Sequence, residues 1–600
     1  MNDSLDPKEQ SRKVAVFAYA AGIDAFHRND RKIIHFLVES GFEPTVVQCK
    51  GVLRSSCPVM KADGLHNSDV LRRSLVCGRC KSTAKKLRND YPSLDFVDLE
   101  SLIGNKIENN NGLNLHRPPC SEKRFSIEWK QAVYSDLHTF KCTLETLSEN
   151  YPKVVIESVK SANISFRAAS RLFSGDSFLA CFVNHAAYGT NLAIWEAARD
   201  AQVLPINQIG CADPAFRNEV INLEKYLLPL MNDEKLDAWR MFSKRPLAIP
   251  EITIVSDFLS QNFFGTKHFF YSPPKNRDKS EIAKQLGIKG EGIILALLGS
   301  PDERLAALAI EQANISEPES HISGTLRFIS LIVEAATLNP DEKFVIRIHP
   351  RLLANYRDPV DSIFLQSIME FLNDCPSNVI INHPSQDISL YDIVPLTKCV
   401  LSTGSTAGLH LAAIGLPVIL CDPGYDYLIA PDIYFRIATE PQKINQAIQD
   451  ISNYDLNLTS ISAFRFLYFQ LYRRAINVEE IFKDAKVSRT KTPNFKQWNL
   501  MFAATRQTTK VIQTLIMKFP TLKLLLLRFA NQFSNYKESN HKVNLVTTFR
   551  LKKLLLSNES VDQQIQKEVL STNHESSKER ESIRHVIEQT RQNLDMSKLT

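Results

Sequence analysis

The stretch from Lys398 to Asp422 restricts the fold of this chain more than any other. A short apolar run through Cys399 and Leu401 ends in Ser402-Thr403-Gly404-Ser405-Thr406, and a helix of small residues follows. Gly415-Leu416-Pro417 then turns the chain into a second apolar run that stops at Asp422. Strand, turn, helix and strand in this order form the repeating unit of a parallel α/β sheet. Gly404, Ser405 and Thr406 leave the first backbone N–H groups of the helix uncovered, which suits an anion of diphosphate size. A capped helix in an ordinary βα turn would use the same residues, so both readings stand on this stretch alone.

The first third of the chain shows the same alternation. Lys13 to Tyr19 predicts a strand, a loop carries Gly22, Asp24, His27, Arg28, Asp30 and Arg31, a helix runs to Ser40, and Pro44 to Gln48 predicts a second strand. That is a Rossmann-like opening. Further on, Phe178 to Asn184 reads as a strand, Asn184, His185 and Tyr188 as its exit loop, Asn191 to Ala201 as a helix and Val203 to Gln208 as a strand. Parallel sheets bind ligands at the C-terminal ends of their strands, so His27, Asp30 and His185 are candidate catalytic residues facing an acceptor. Each also has a plainer reading, as a solvated helix start or a loop histidine. Between these two regions, from Glu122 to Lys160, apolar residues such as Phe125, Trp129, Val133, Leu137, Phe140, Leu144 and Leu147 recur at helical spacing, so much of this stretch predicts a long amphipathic helix.

A proline-rich connector near Tyr271 separates a second alternating set. Gly292 to Leu298 is a fully apolar strand followed by Gly299-Ser300-Pro301-Asp302-Glu303. A strand from Lys343 continues through Arg347, His349 and Arg351, and Asn378 to Asn382 is another. Three strand exits, at Ser300 to Glu303, Arg347 to Arg351 and Ser402 to Thr406, are expected to meet at one sheet edge. Together they supply a glycine turn, cations and a helix N-terminus, as a nucleotide diphosphate requires. The fold class expected is therefore α/β, with two Rossmann-like domains facing each other across a cleft and a C-terminal helical extension. Residues 1–250 form the acceptor domain with a cysteine-containing insertion at 49–80, 251–277 a linker, 278–455 the donor domain, 456–555 a helical extension and 556–600 a polar tail, loosely helical or disordered.

Composition narrows the partners. A net charge of +6 over 600 residues, without interleaved aromatic and basic residues, does not point to nucleic acid. No apolar run is long enough to span a membrane and the first ten residues are polar, so a cytoplasmic protein is expected. Residues 505–533 are basic and amphipathic, a composition suited to peripheral contact with an anionic inner-membrane face or to packing on the protein's own flank. Eleven cysteines, several within apolar runs, fit reduced thiols. Cys49, Cys57, Cys77 and Cys80 are a candidate ligand set for structural zinc or an iron–sulfur cluster, with free thiols as the alternative.

The residues His349-Pro350, Ser402-x-Gly404-Ser405-Thr406 and Gly415-x-Pro417, with the Ser300-x-Asp302-Glu303 turn upstream, resemble the C-terminal half of GT-B glycosyltransferases. The nearest group is the capsule and surface-polysaccharide biosynthesis proteins, relatives of Kdo-transferases and glycerophosphotransferases. The resemblance covers roughly Gly292 to Asp422. It implies a nucleotide-sugar donor in the C-terminal domain, a glycan or lipid-linked hydroxyl acceptor in the N-terminal one, and transfer that requires no cofactor. It further implies donor or phosphate contacts from Ser300, Glu303, Arg347, His349, Arg351, Ser402, Gly404, Ser405 and Thr406. Where many such enzymes carry a ribose-binding glutamate, this chain has His410. A sugar-nucleotide 2-epimerase and a non-catalytic assembly or export partner are the alternative readings.

Overall fold

Runs of β-branched and aromatic residues gather into two sheets. The structure, a computed structural model, describes residues 12–53, 56–62, 70–103, 135–210, 220–225, 233–264, 277–290, 292–309, 323–354, 360–421, 433–453, 456–470, 476–477, 576–594 and 596. The first sheet contains β1 (Lys13–Phe17), β2 (Glu43–Gln48), β3 (Asp95–Asp98), β4 (Ala180–Asn184), β5 (Leu204–Gly210) and β6 (Val220–Glu224). The second contains β7 (Ile293–Leu297), β8 (Phe344–Arg347), β9 (Val379–Asn382), β10 (Thr397–Ser402), β11 (Val418–Leu420) and β12 (Arg436–Ile437). A late strand, β13 (Ile476–Asn477), returns to the first sheet.

The first sheet runs β3-β2-β1-β4-β5-β6-β13, and the second runs β9-β8-β7-β10-β11-β12. All neighbours are parallel except β5 with β6 and β6 with β13. Each sheet therefore reverses its winding once, between β1 and β4 and between β7 and β10. Loops diverge at such a switch point and open the crevice where doubly wound sheets take ligands. The two halves are Rossmann-like, as the alternation of strands and helices predicts.

The central strands are apolar on both faces because helices cover both. Val14, Ala15 and Val16 of β1 and Ile294, Leu295 and Ala296 of β7 are all 0% exposed. Separate apolar clusters lie on the two sides of each sheet.

Several expectations need correction. The long helix expected between Glu122 and Lys160 is interrupted: Lys141 turns with φ +48° after a helix over 135–140, and Thr143 caps Leu144–Asn150 by accepting from the Thr146 N–H at 3.2 Å. Helix Pro152–Gly175 then begins on its own proline. Residues 122–134 of the expected helix lie outside the described residues. The start of the expected linker is helix Ile249–Phe263, whose Ile252, Val255, Phe258 and Leu259 join the core of the second sheet. The remaining linker residues 265–276 are outside the described set. The polar tail is not loose throughout: helix Ser576–Asn593 packs Ile583 and Ile587 into that same core. Residues 505–533 are outside the described residues. Among the described residues no helix is long and apolar enough to cross a membrane.

Candidate functional site

The C-terminal ends of the two sheets face each other. From the first sheet come the β4 exit loop and the segment 135–141; from the second come the β7 exit and the chain after β8. Leu137, Phe140, Ala186, Ala187 and Trp195 share one apolar cluster with Leu305, Ala306 and Phe364 from the other half. Lys141 ties the seam by donating to the Leu353 and Val360 carbonyls at 2.7 and 3.1 Å.

On the second sheet, β-register aligns Ser402 with Leu297, Leu297 with Arg347 and Arg347 with Asn382. Ser402 and Arg347 thus share one rung and one face, two strand spacings or about 10 Å apart. The turn after β10 is largely self-satisfied. The Ser402 hydroxyl accepts from the Gly404 and Ser405 N–H groups, both at 3.1 Å, and the Ser405 hydroxyl caps helix Thr406–Ala413 through the Gly408 N–H at 3.1 Å. Gly404 takes φ +95°, a conformation that disfavours any side chain. Thr406 is exposed, so the helix start reaches the surface.

The expected cations are placed differently from one another. Arg351 is 0% exposed and forms a buried ion pair with Asp302. It also contacts the Ser300 hydroxyl at 3.3 Å and His138 Nδ1 at 3.2 Å, and donates to the His138 carbonyl. Ser300 in turn donates to Asp302 at 2.5 Å. Arg351 therefore binds the two halves together, and its fork is not turned outward to phosphate as expected from the sequence. Glu303 is exposed and 3.6 Å from the same guanidinium. Arg347 donates to Asn382 at 2.5 Å and lines a cavity of about 150 Å³ with Pro350, Leu353, His383 and Asp387. That volume accommodates a fragment of a nucleotide sugar, since sites for whole ligands of that size run to roughly 300–1,000 Å³. His410 is 6% exposed with its ring edge-on to Phe258 at 5.3 Å, so it packs in the core.

His349 caps the turn Pro350–Leu352 by accepting from the Arg351 N–H at 3.2 Å. Burial, with the Arg351 cation beside it, pushes its imidazole down to about 4. Such a group is neutral when folded but takes a proton when unfolded. Its contribution to stability is complete above the ordinary histidine value of about 6.5 and is lost as pH falls towards 4. The variant His349→Asn keeps a cap acceptor without the titration. Its thermal midpoint should fall less than the parent's between those pH values and track the parent above them; parallel profiles throughout would overturn this.

On the first sheet, the site is built around the β4 exit. His185 adopts φ +45°, a strained backbone held by Asn191, whose amide donates to the Asn184 carbonyl and, at 3.5 Å, to the His185 carbonyl. The His185 ring stacks on Phe26 at 5.1 Å and meets Tyr188 edge-on at 5.9 Å. Tyr188 lies 6.2 Å from His138, which reaches Arg351 across the seam. Asp30 is buried, accepts from the Asn184 amide at 2.5 Å, and has its carboxyl pushed well above the usual range by desolvation. Through that contact it ties helix Asp24–Glu39 to the end of β4. His27 is partly buried in the first turn of helix Asp24–Glu39.

Sequence reasoning missed Tyr19 and Asn191, although Tyr19 ends the first expected strand and bonds Thr190 at 3.1 Å. It also missed His138 and Lys141, which carried no signal beyond a helical spacing that the turn at Lys141 interrupts. Cys49, Cys57, Cys77 and Cys80 do converge, all lining one small cavity. Among the described residues, however, no three His, Cys, Asp or Glu side chains are placed to hold a metal ion.

Two Rossmann-like halves meeting at the exits of β4 and β7 make this a GT-B-like α/β protein. No family profile and no curated protein matches the chain. Among solved structures it is similar to UDP-GlcNAc 2-epimerase from Neisseria meningitidis, with 10% identity, TM-score 0.27, and 78% of this chain and 98% of that one covered. It is also similar to KpsC, a β-Kdo 2,4 transferase from Thermosulfurimonas dismutans, with 11% identity, TM-score 0.27, and 55% and 90% covered. Anabaena HepE in complex with UDP-glucose gives 11% identity, TM-score 0.27, and 78% and 97% covered. At these values the likeness is distant and assigns no activity to this chain.

Proposed function

We propose that the protein transfers a sugar from a nucleotide-activated donor to a hydroxyl acceptor, in the assembly of a surface polysaccharide. The observation that supports this most is the pair of switch points whose loops approach each other across one seam: a second-sheet edge with a helix start and Arg347, opposite a first-sheet edge with His185 and Tyr188. The donor's phosphates sit at the start of helix Thr406–Ala413, where the N-terminal dipole end stabilises the departing charge. His185 removes the acceptor hydroxyl's proton, the oxygen bonds to the anomeric carbon, and the bond from that carbon to the phosphate oxygen breaks. Arg351, held by Asp302 and reaching His138, and Lys141 tie the halves together.

A second reading, a non-catalytic assembly or export partner, is favoured by the inward orientation of Arg351 and His410. Thermal shift of parent and Thr406→Glu with a panel of nucleoside mono- and diphosphates and their sugars tests the donor seat. A carboxylate in the first turn supports a helix by about 0.3–1 kcal/mol, so the variant should melt no lower than the parent while losing the nucleotide-induced shift. Binding at a hundredfold excess over Kd adds about 2.7 kcal/mol to the parent. If no nucleotide shifts the parent, or if the variant retains the shift, the seat is not at this turn. Binding without transfer to any glycan hydroxyl would support the second reading.

A further inference from the structure

Helix Val70–Asp90 holds an excess of positive charge equal to that of the whole chain. Seven of its 21 residues are lysine or arginine and only Asp90 is acidic, a net charge of +6. The 600-residue chain also has a net charge of +6, so everything outside this helix sums to neutrality. A basic helix in an otherwise balanced chain marks a contact with something anionic.

The helix is also apolar on two sides. Val76 and Leu87, 1% and 0% exposed, pack inward. Leu71 and Leu75, one turn apart on the opposite side, are 69% and 43% exposed. Ser74, Gly78 and Ser82 continue that outer side, and Lys81, Lys85 and Lys86 flank it, all of them exposed. A crossover helix needs one apolar side to cover its sheet; the second faces outward.

Nearby carboxylates leave these lysines charged and available. Asp90 is paired with Arg31 at 2.9 Å, and Asp98 with Arg88 at 2.9 Å and with Lys50. Among the described residues, no carboxylate forms an ion pair with Lys81, Lys85 or Lys86. Residues 104–134, the stretch of chain after helix Leu99–Ile103, have more lysine and arginine than aspartate and glutamate, so their charge does not complement this face. A lipid surface with anionic headgroups matches both features at once: the headgroups take the lysines, and the outermost acyl layer takes the two leucines. A nucleic-acid backbone would use the cations and leave the leucines in water.

We propose that helix Val70–Asp90 docks on an anionic phospholipid surface through Leu71, Leu75, Lys81, Lys85 and Lys86.

The test is flotation of the full chain with vesicles of phosphatidylcholine alone or mixed with phosphatidylglycerol. The parent should float with the mixed vesicles only. It should be largely released as salt rises from about 0.1 M to about 1 M, where the screening length falls from about 10 to about 3 Å. Lys85→Gln with Lys86→Gln should weaken partition about 25-fold, roughly fivefold per lysine. Leu71→Ser with Leu75→Ser should weaken it about tenfold. Both pairs are exposed, so the melting points should match the parent's. A parent that does not float with the mixed vesicles, or that floats equally with both kinds, would overturn the proposal. So would variants that partition like the parent, which would place the lipid contact elsewhere, as at residues 505–533. Retention on duplex DNA that the lysine pair weakens and the leucine pair does not would assign the face to nucleic acid instead. Because the readout is vesicle binding, none of these outcomes depends on the transfer reading.

Discussion

Arg351→Met is expected to lower stability by about 3–5 kcal/mol, the usual consequence of removing one member of a buried ion pair. The guanidinium is fully buried, as are its nearest side-chain partners: Asp302 is 0% exposed and Ser300 5%. Methionine fills most of the stem's volume, so lost charge rather than a cavity dominates the effect. Burial already pushes the Asp302 carboxyl up, with Arg351 opposing. Without the arginine that carboxyl is raised further, and the added instability should grow as pH rises through its folded value. Denaturant unfolding followed by circular dichroism reads the change. The double variant Arg351→Met/Asp302→Leu should recover most of it, because a buried pair replaced by apolar groups is close to neutral. Glu303→Ala, at an exposed carboxylate, should change little. A double variant no better than the single one would show that the uncompensated Asp302 charge is not the source of the loss, which would then lie in the Arg351 contact to His138.

The same residues show what sequence can and cannot convey. The strands were legible because burial on both faces leaves continuous apolar runs: Gly292 to Leu298 for β7, and Phe178 to Asn184 for β4. The alternation of these runs with helical spacing was enough to require two Rossmann-like halves. The expected three strand exits do lie at one edge of the second sheet, since Ser402 and Arg347 share a rung. The sequence did not specify which way each cation turns. An arginine in the first turn past a strand can meet a ligand or a carboxylate from a neighbouring exit, and Asp302 supplied the carboxylate from a turn read as part of the donor site. His410 was legible as a departure from a family pattern but not as a core residue, because one imidazole at helical spacing has no marker of the face it occupies. The cysteines were legible as a set only through the pair at Cys77 and Cys80. Folding brought Cys49 and Cys57 to the same cavity.

Glu579→Ala should have a comparable effect, about 3–5 kcal/mol, through the C-terminal helix. Glu579 is 1% exposed, accepts from Arg465 Nε at 2.8 Å and Nη2 at 2.5 Å, and accepts from the Leu247 N–H at 2.7 Å. Alanine leaves that amide without its acceptor and Arg465 with only the Ser243 carbonyl, at 2.5 Å, among these partners. Ending the chain before Ser576 removes the same carboxylate and uncovers the surface on which Ile583, Ile587, Leu594 and Met596 pack, each buried side chain contributing about 1.5–3 kcal/mol. Limited proteolysis should then cut within helix Ile249–Phe263 or Leu456–Tyr468, the two that pack against the lost helix. The consequence extends to the proposed donor seat. Arg591 donates to the Gly415 carbonyl at 3.4 Å and Ser460 to the Ala412 carbonyl at 3.1 Å, so both helices brace the end of helix Thr406–Ala413. Glu579→Ala should therefore weaken nucleotide binding at temperatures where most of the chain remains folded. Unchanged proteolysis and unchanged nucleotide shift in both the point variant and the truncation would show that this helix supports neither the core nor the seat.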